Sequence, residues 1–281
     1  VFLNDVMGLY LSPEEVTALE ARTEGWIAGL QMAALSMQAQ EDVSGFIQTF
    51  TGSHRFIFDY LIEEVLNQQP PHIQIFLQKT SLLDRLTGPL CDAVTDGEGG
   101  QTILAQLEQA NLFLVPLDDQ RQWYRYHRLF ADLLQQGLKQ SYLEDMPALH
   151  RKACEWYQHN GLVREAICHA LLGGDIEQAA NLIEGHIFAA MEQRELLMLE
   201  QWLAGLPKEL VRFRPWLSVA YAWVLAENKE YADVARHLQH ADQSLKSLKP
   251  VEKQHIRSYI ASIQAKCRVI AGDMEGAIAY A

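Results

Sequence analysis

The 281-residue chain is 49% hydrophobic and 21% charged, a composition that excludes a disordered polymer and leaves room for two or three domains. Its net charge is −13, and residues 1–140 hold eight Lys and Arg against 18 Asp and Glu, so the front half offers no free nucleic-acid-binding surface. Cys91, Cys154, Cys168 and Cys267 are scattered without a CxxC pair, no apolar run approaches the roughly 18 residues of a membrane span, and no signal peptide opens the chain; the expectation is buried, reduced thiols in a cytoplasmic protein.

VFLNDVMG has no initiator Met and already lies inside a helical pattern, which reads as a cut through a longer protein. Residues 1–68 are expected to form a small helical bundle. In SPEEVTALEARTEGW, Ser12 is the N-cap, Pro13 takes the first helical position, and Glu14 and Glu15 favour the first turn through the helix dipole. WIAGLQMAALSMQ follows, with Trp26, Leu30, Ala33, Ala34 and Met37 in one apolar stripe and Gly29 allowing close approach. SGFIQTF and SHRFIFDYLIEEVLNQQ add two more helices, and Pro70 and Pro71 stop the last.

Residues 69–140 have the order of a winged helix. Three helical patterns, His72–Leu86, Gly88–Val94 and Gln101–Phe113, precede a tight hairpin of Leu112–Leu117 and Trp123–His127 turning at Asp118 and Asp119, and Leu129, Phe130, Leu133 and Leu134 then recur at helical spacing. Such folds often bind DNA, so charge decides. Between Arg85 and Arg121 there is no basic residue, whereas Asp92, Asp96, Glu98, Glu108, Asp118 and Asp119 are acidic and would repel phosphate. This domain therefore reads as a protein-contact or ligand-gating module.

One basic cluster, Arg121, Arg125, His127 and Arg128, interrupts that acidity. Strand alternation places Trp123, Arg125 and His127 on one face and Tyr124 and Tyr126 on the other. Two donors on one face suit an anion such as a nucleotide phosphate; a solvated strand whose charges balance Asp118, Asp119 and Asp132 is the other reading the residues leave open.

Residues 141–281 are expected to be wholly helical and weakly repetitive, in the manner of degenerate tetratricopeptide-like repeats. Gly161 to Ala166, Gly174 to Ala179, Glu230 to Ala235 and Gly272 to Ala277 share one offset, and in three of them a glycine closes one helix and an alanine sits inside the next. The last repeat is left as an unfinished pair. A curved stack of such hairpins presents a concave surface, on which Trp216, Tyr221 and Trp223 are aromatic candidates for an inducer or partner, although aromatic residues at helical spacing are more often core.

Catalytic signatures are missing. GEGGQT at Gly97–Thr102 lacks the lysine of a phosphate loop, and there is no HExxH, GxSxG or GxGxxG. His150 with Cys154, and Cys168 with His169, lack the closely spaced pairs that a metal site needs, so no metal is expected.

RTEGWIAGLQMAALS (Arg22–Ser36), SHRFIFDYLIEEVL (Ser53–Leu66), FLQKTSLLDRLTGPLCDAV (Phe76–Val94) and NLFLVPLDDQRQWYRYHRLFADLL (Asn111–Leu134) closely resemble the large ATP-dependent LuxR-type transcriptional regulators, the MalT-like branch of the STAND ATPases. The resemblance implies a middle portion of such a protein. A P-loop domain would precede it in cis and a DNA-binding domain would follow, with no cofactor held in this portion alone but ATP or ADP in the whole. It further implies that the winged helix folds over ADP in a resting state, that inducer and ATP release it for self-association, and that His127 in YHRLF touches the nucleotide phosphate with Arg125 and Arg128 beside it. A repeat scaffold or adaptor without a nucleotide role is the alternative.

Overall fold

A computed structural model describes residues 2–37, 43–50 and 59–270, which divide into two compact units, 1–153 and 154–281. The described residues are mostly helical, with one two-stranded antiparallel sheet among them.

In the first unit, helix α1 (Pro13–Thr23) starts where the sequence places it. Ser12 Oγ accepts from the Glu15 amide at 3.2 Å and Glu15 Oε2 accepts from the Ser12 amide at 2.9 Å, a reciprocal capping box. Helix α2 (Ile27–Met37) buries Ala33, Ala34 and Met37, and α3 (Val43–Thr49) follows. The pattern around Phe56 falls partly outside the described residues; its visible end is a π-helical turn, Leu61–Leu66.

The winged helix then forms in the expected order: α4 (Pro71–Thr80), α5 (Gly88–Thr95), α6 (Gly100–Gln109), β1 (Leu114–Pro116), β2 (Tyr124–Tyr126) and α7 (Arg128–Ser141). Two expectations need correction. The helix predicted to reach Leu86 ends at Thr80, because Leu86 exchanges two backbone hydrogen bonds with Tyr124, of 2.7 and 2.8 Å, and so extends the sheet instead. The hairpin is not tight at Asp118–Asp119: Leu117 still pairs with Trp123, Arg121 takes a left-handed conformation (φ 54°), and Asp118 accepts the amides of Gln122 and Trp123 at 3.0 and 2.7 Å. Those amides, Gln122 first, hold the Asp118 carboxyl below its usual range. Tyr124 and Tyr126 do face inward, 1% and 5% exposed, and Leu77, Leu86, Leu90, Leu104, Phe130 and Leu134 complete the core. Within it the Tyr126 hydroxyl meets Thr80 Oγ1 at 2.6 Å.

Part of the acidic run is held by local contacts. Asp92 accepts the Gly100 amide at 2.7 Å, Glu108 pairs with Arg121 at 3.0 Å, and Asp96 pairs with Lys152.

The second unit begins within α8 (Met146–His159) and continues through α9 (Val163–Leu172), α10 (Ile176–Glu192), α11 (Leu196–Ala204), α12 (Lys208–Phe213), α13 (Pro215–Glu227), α14 (Tyr231–Gln243) and α15 (Pro250–Ile270). Four of its connections are the same device. Gly161, Gly174, Arg194 and Lys229 each have φ between 54° and 73°, and the amide of the following residue reaches back to the carbonyl of Tyr157, Ala170, Ala190 or Leu225 at 2.8–2.9 Å. This is the closure that satisfies orphan carbonyls at a helix end. Five residues after each left-handed position lies a buried apolar side chain: Ala166, Ala179, Leu199 and Val234, all 0–3% exposed. The predicted offset is thus right at Gly161 and Gly174 but one residue late in the third repeat, where Lys229 and Val234 hold the positions and Ala235 is exposed. The fourth repeat, Gly272 to Ala277, lies outside the described residues.

Candidate functional site

The predicted basic strand meets the corner between α1 and α2. Glu24 ends α1 in a left-handed conformation (φ 49°), its amide bonded to the Glu20 carbonyl, and Gly25 follows at φ 75°. That corner aims the Glu24 carboxylate at Arg125, whose Nη1 donates to Oε1 at 2.9 Å and to Oε2 at 3.0 Å. The pair is 24–36% exposed at its side chains, so solvent screening keeps its worth to about 1 kcal/mol or less.

His127 is 8% exposed and caps the start of α7. Its amide donates to the Phe113 carbonyl at 2.7 Å, and Phe113 itself is held in a left-handed conformation (φ 52°). Its imidazole Nε2 lies 2.9 Å from the Thr23 carbonyl and 3.8 Å from Glu24 Oε2. A carbonyl oxygen only accepts, so Nε2 carries the proton; Nδ1 is then buried with no hydrogen-bond partner. Leaving such an atom unpaired costs about 1–3 kcal/mol. Trp26 and Phe113 flank the ring edge-on, with centroids 6.2 and 5.7 Å away. Gly29 makes room for this indole, since a Cβ there would lie 2.4 Å from Trp26 Cε3.

Arg125 also lines an open groove of ≈ 400 Å³ with Asp84, Arg85, Leu117, Asp118 and Trp123. Arg128 is exposed at the first position of the 14-residue helix α7, where unpaired amides and the helix dipole favour an anion. Sequence reasoning thus placed Arg125, His127 and Arg128 together. It missed Thr23, Glu24, Trp26 and Phe113 as their surroundings; the local signal was RTEGW, read there only as the end of a helical pattern and the start of a family motif.

Elsewhere the chemistry is quieter. Among the described residues no group of three or more His, Cys, Asp and Glu could hold a metal ion, and no helix is long and apolar enough to cross a membrane. Cys91 and Cys154 are buried; burial pushes the Cys91 thiol well up and raises Cys154 to about 11. Cys168, expected to be buried, is exposed, because it sits on the outer face of α9 between buried Ile167 and His169. In the second unit, Trp216, Tyr221 and Trp223 are half-buried against the core of α13–α15. Trp216 packs edge-on to Phe188 and His255 at 4.6 and 5.4 Å, while Tyr221 stacks on His237 at 4.5 Å.

In this winged helix Asp92, Glu108 and Asp118 are held by internal contacts, and the basic strand is turned on a neighbouring helical corner. Residues 62–146 match the MalT winged helix domain family. Over 221 residues the chain is 34% identical to serine/threonine-protein kinase PknK of Mycobacterium tuberculosis, covering 79% of this chain and 20% of that protein. Over 254 residues it is 31% identical to HTH-type transcriptional regulator MalT of Yersinia pestis, covering 89% of this chain and 28% of that protein. Residues 62–146 thus carry a winged helix of the MalT type, and the chain spans between a fifth and three tenths of the length of these curated relatives.

Proposed function

We propose that this chain is the coupling and sensing portion of an ATP-dependent LuxR/MalT-like transcriptional regulator. In this reading a nucleotide-binding domain in cis holds ADP or ATP, and Arg125, His127 and Arg128 face its phosphates. The helical hairpins take an inducer, with Trp216, Tyr221 and Trp223 as aromatic candidates. Inducer and ATP release the winged helix for self-association, and promoter DNA is bound by another domain.

The observation that carries the proposal is the His127 imidazole, buried between Trp26 and Phe113 with Nδ1 unpartnered and the Arg125 guanidinium beside it. Protonated, such an imidazole would donate from both nitrogens, which is the chemistry a phosphate oxygen rewards. The comparisons support a control role: the same stretch recurs in one protein named as a kinase and another named as a transcriptional regulator, so the portion they share with this chain is separable from either output. The chain alone lacks the glycine-rich phosphate loop and its lysine. The test is calorimetric titration of ADP into residues 1–281 and into the protein that includes the nucleotide-binding domain. Tight binding only in the longer protein, weakened by His127→Ala, is expected; micromolar ADP binding by residues 1–281 would contradict the division of labour.

A further inference from the structure

The Arg125–His127 site is not open: a carboxylate of the same chain already sits on it. Glu24 reaches Arg125 Nη1 with both oxygens, at 2.9 and 3.0 Å, and brings Oε2 to 3.8 Å from His127 Nε2. Two oxygens on one guanidinium, with an imidazole N–H in reach, is how a phosphate is also held. The backbone at Glu24 is left-handed, which glycine or asparagine adopts with less strain, so the turn itself gives no reason for a glutamate. The groove that Arg125 shares with Arg85 and Trp123 leaves the guanidinium accessible from outside.

We infer that Glu24 is a built-in counter-anion of this site: its carboxylate occupies the place on Arg125 and His127 that a phosphoanhydride would take, so that anion binding displaces Glu24 and frees the α1–α2 corner from the hairpin. The inference rests on the phosphate-contact reading above and adds to it a competitor and a consequence. Because the pair is partly solvated, it is weak enough for a polyvalent anion to displace. Once Glu24 leaves, the Thr23 carbonyl on His127 and the packing of Trp26 on Phe113 remain to hold the corner against the hairpin.

The probe is inorganic pyrophosphate, titrated calorimetrically into the 281-residue chain and its Glu24→Gln, Glu24→Asp and Arg125→Gln variants at low ionic strength. Removing the competing charge should tighten pyrophosphate binding about fivefold in Glu24→Gln, the equivalent of a pair worth up to roughly 1 kcal/mol. Glu24→Asp keeps the charge and should stay near the parent, and Arg125→Gln should lose binding. Hydrogen exchange reports the release: pyrophosphate should speed exchange at the amides of residues 23–26 in the parent. Equal or weaker binding by Glu24→Gln, with Arg125→Gln still defective, would overturn the competitor role and leave the anion site standing. Without the phosphate loop the parent should bind only at millimolar pyrophosphate, and absence of binding at that concentration in every variant would overturn both.

Discussion

Replacing Gly174 with valine tests the turn geometry from which the second unit is built. Gly174 lies at φ 72°, and a Cβ there would meet nothing within 4 Å, so any penalty comes from the backbone and not from crowding. A left-handed conformation costs a non-glycine residue about 1–2 kcal/mol, more for a β-branched one, whereas asparagine tolerates it. Two bonds depend on that conformation: the Gly174 amide to the Leu171 carbonyl at 3.1 Å and the Asp175 amide to the Ala170 carbonyl at 2.9 Å. Gly174→Val should therefore destabilise the second unit by at least about 1 kcal/mol, and Gly174→Asn by a few tenths. For a unit of this size the valine variant should melt roughly 3–6 °C lower by circular dichroism. Lys229→Gly, at the same place in another turn, should shift stability the other way by up to about 1 kcal/mol. An unchanged melting temperature in Gly174→Val, or an equal loss in Gly174→Asn, would refute the reasoning, since the first denies the strain and the second makes any side chain the cause.

Arg214 clamps Glu184 at 3.0 Å and also reaches Glu177 and Asn181 on α10, so Arg214→Ala should cost about 1.5–3 kcal/mol in urea denaturation. Burial already raises the Glu184 carboxyl above its ordinary value while Arg214 pulls it down; without Arg214 it rises further, so the stability it contributes below pH 4.5 is lost as pH climbs through the folded value, and the variant's deficit should be larger at pH 7 than at pH 5. Iodoacetamide at mildly alkaline pH should label Cys168 first and spare Cys91 and Cys154, read by mass spectrometry; fast labelling of Cys91 would contradict its burial. The chain should show no sequence-specific DNA affinity, and a gel shift competed by one specific operator at physiological salt would contradict the charge argument.

Local signals were legible and distant ones were not. The Ser12 cap, the winged-helix order and the inward tyrosines follow from capping, periodicity and strand alternation, which act within a few residues. Leu86 read as helix because its apolar neighbours continue the α4 pattern, but Tyr124, 38 positions on, claims its backbone. Gly161 and Gly174 announced their turns; Arg194 and Lys229 adopt the same conformation without that signal, and the repeat register slipped at Lys229 for this reason. Alternation brought Arg125 and His127 together, yet nothing near them names Glu24, which is 101 positions away and becomes a neighbour only when the corner folds against the hairpin.

Whether His127 senses nucleotide is measured most directly on a protein that includes the nucleotide-binding domain proposed above. His127→Ala removes one charge-assisted or polar contact to phosphate, about 1.5–3 kcal/mol, enough to move a closed-to-open equilibrium roughly ten- to a hundredfold. The variant should lose bound ADP faster and show raised transcription in the absence of inducer. Retention of ADP and basal transcription both equal to the parent's would contradict that role and leave His127 as a packing residue between Trp26 and Phe113.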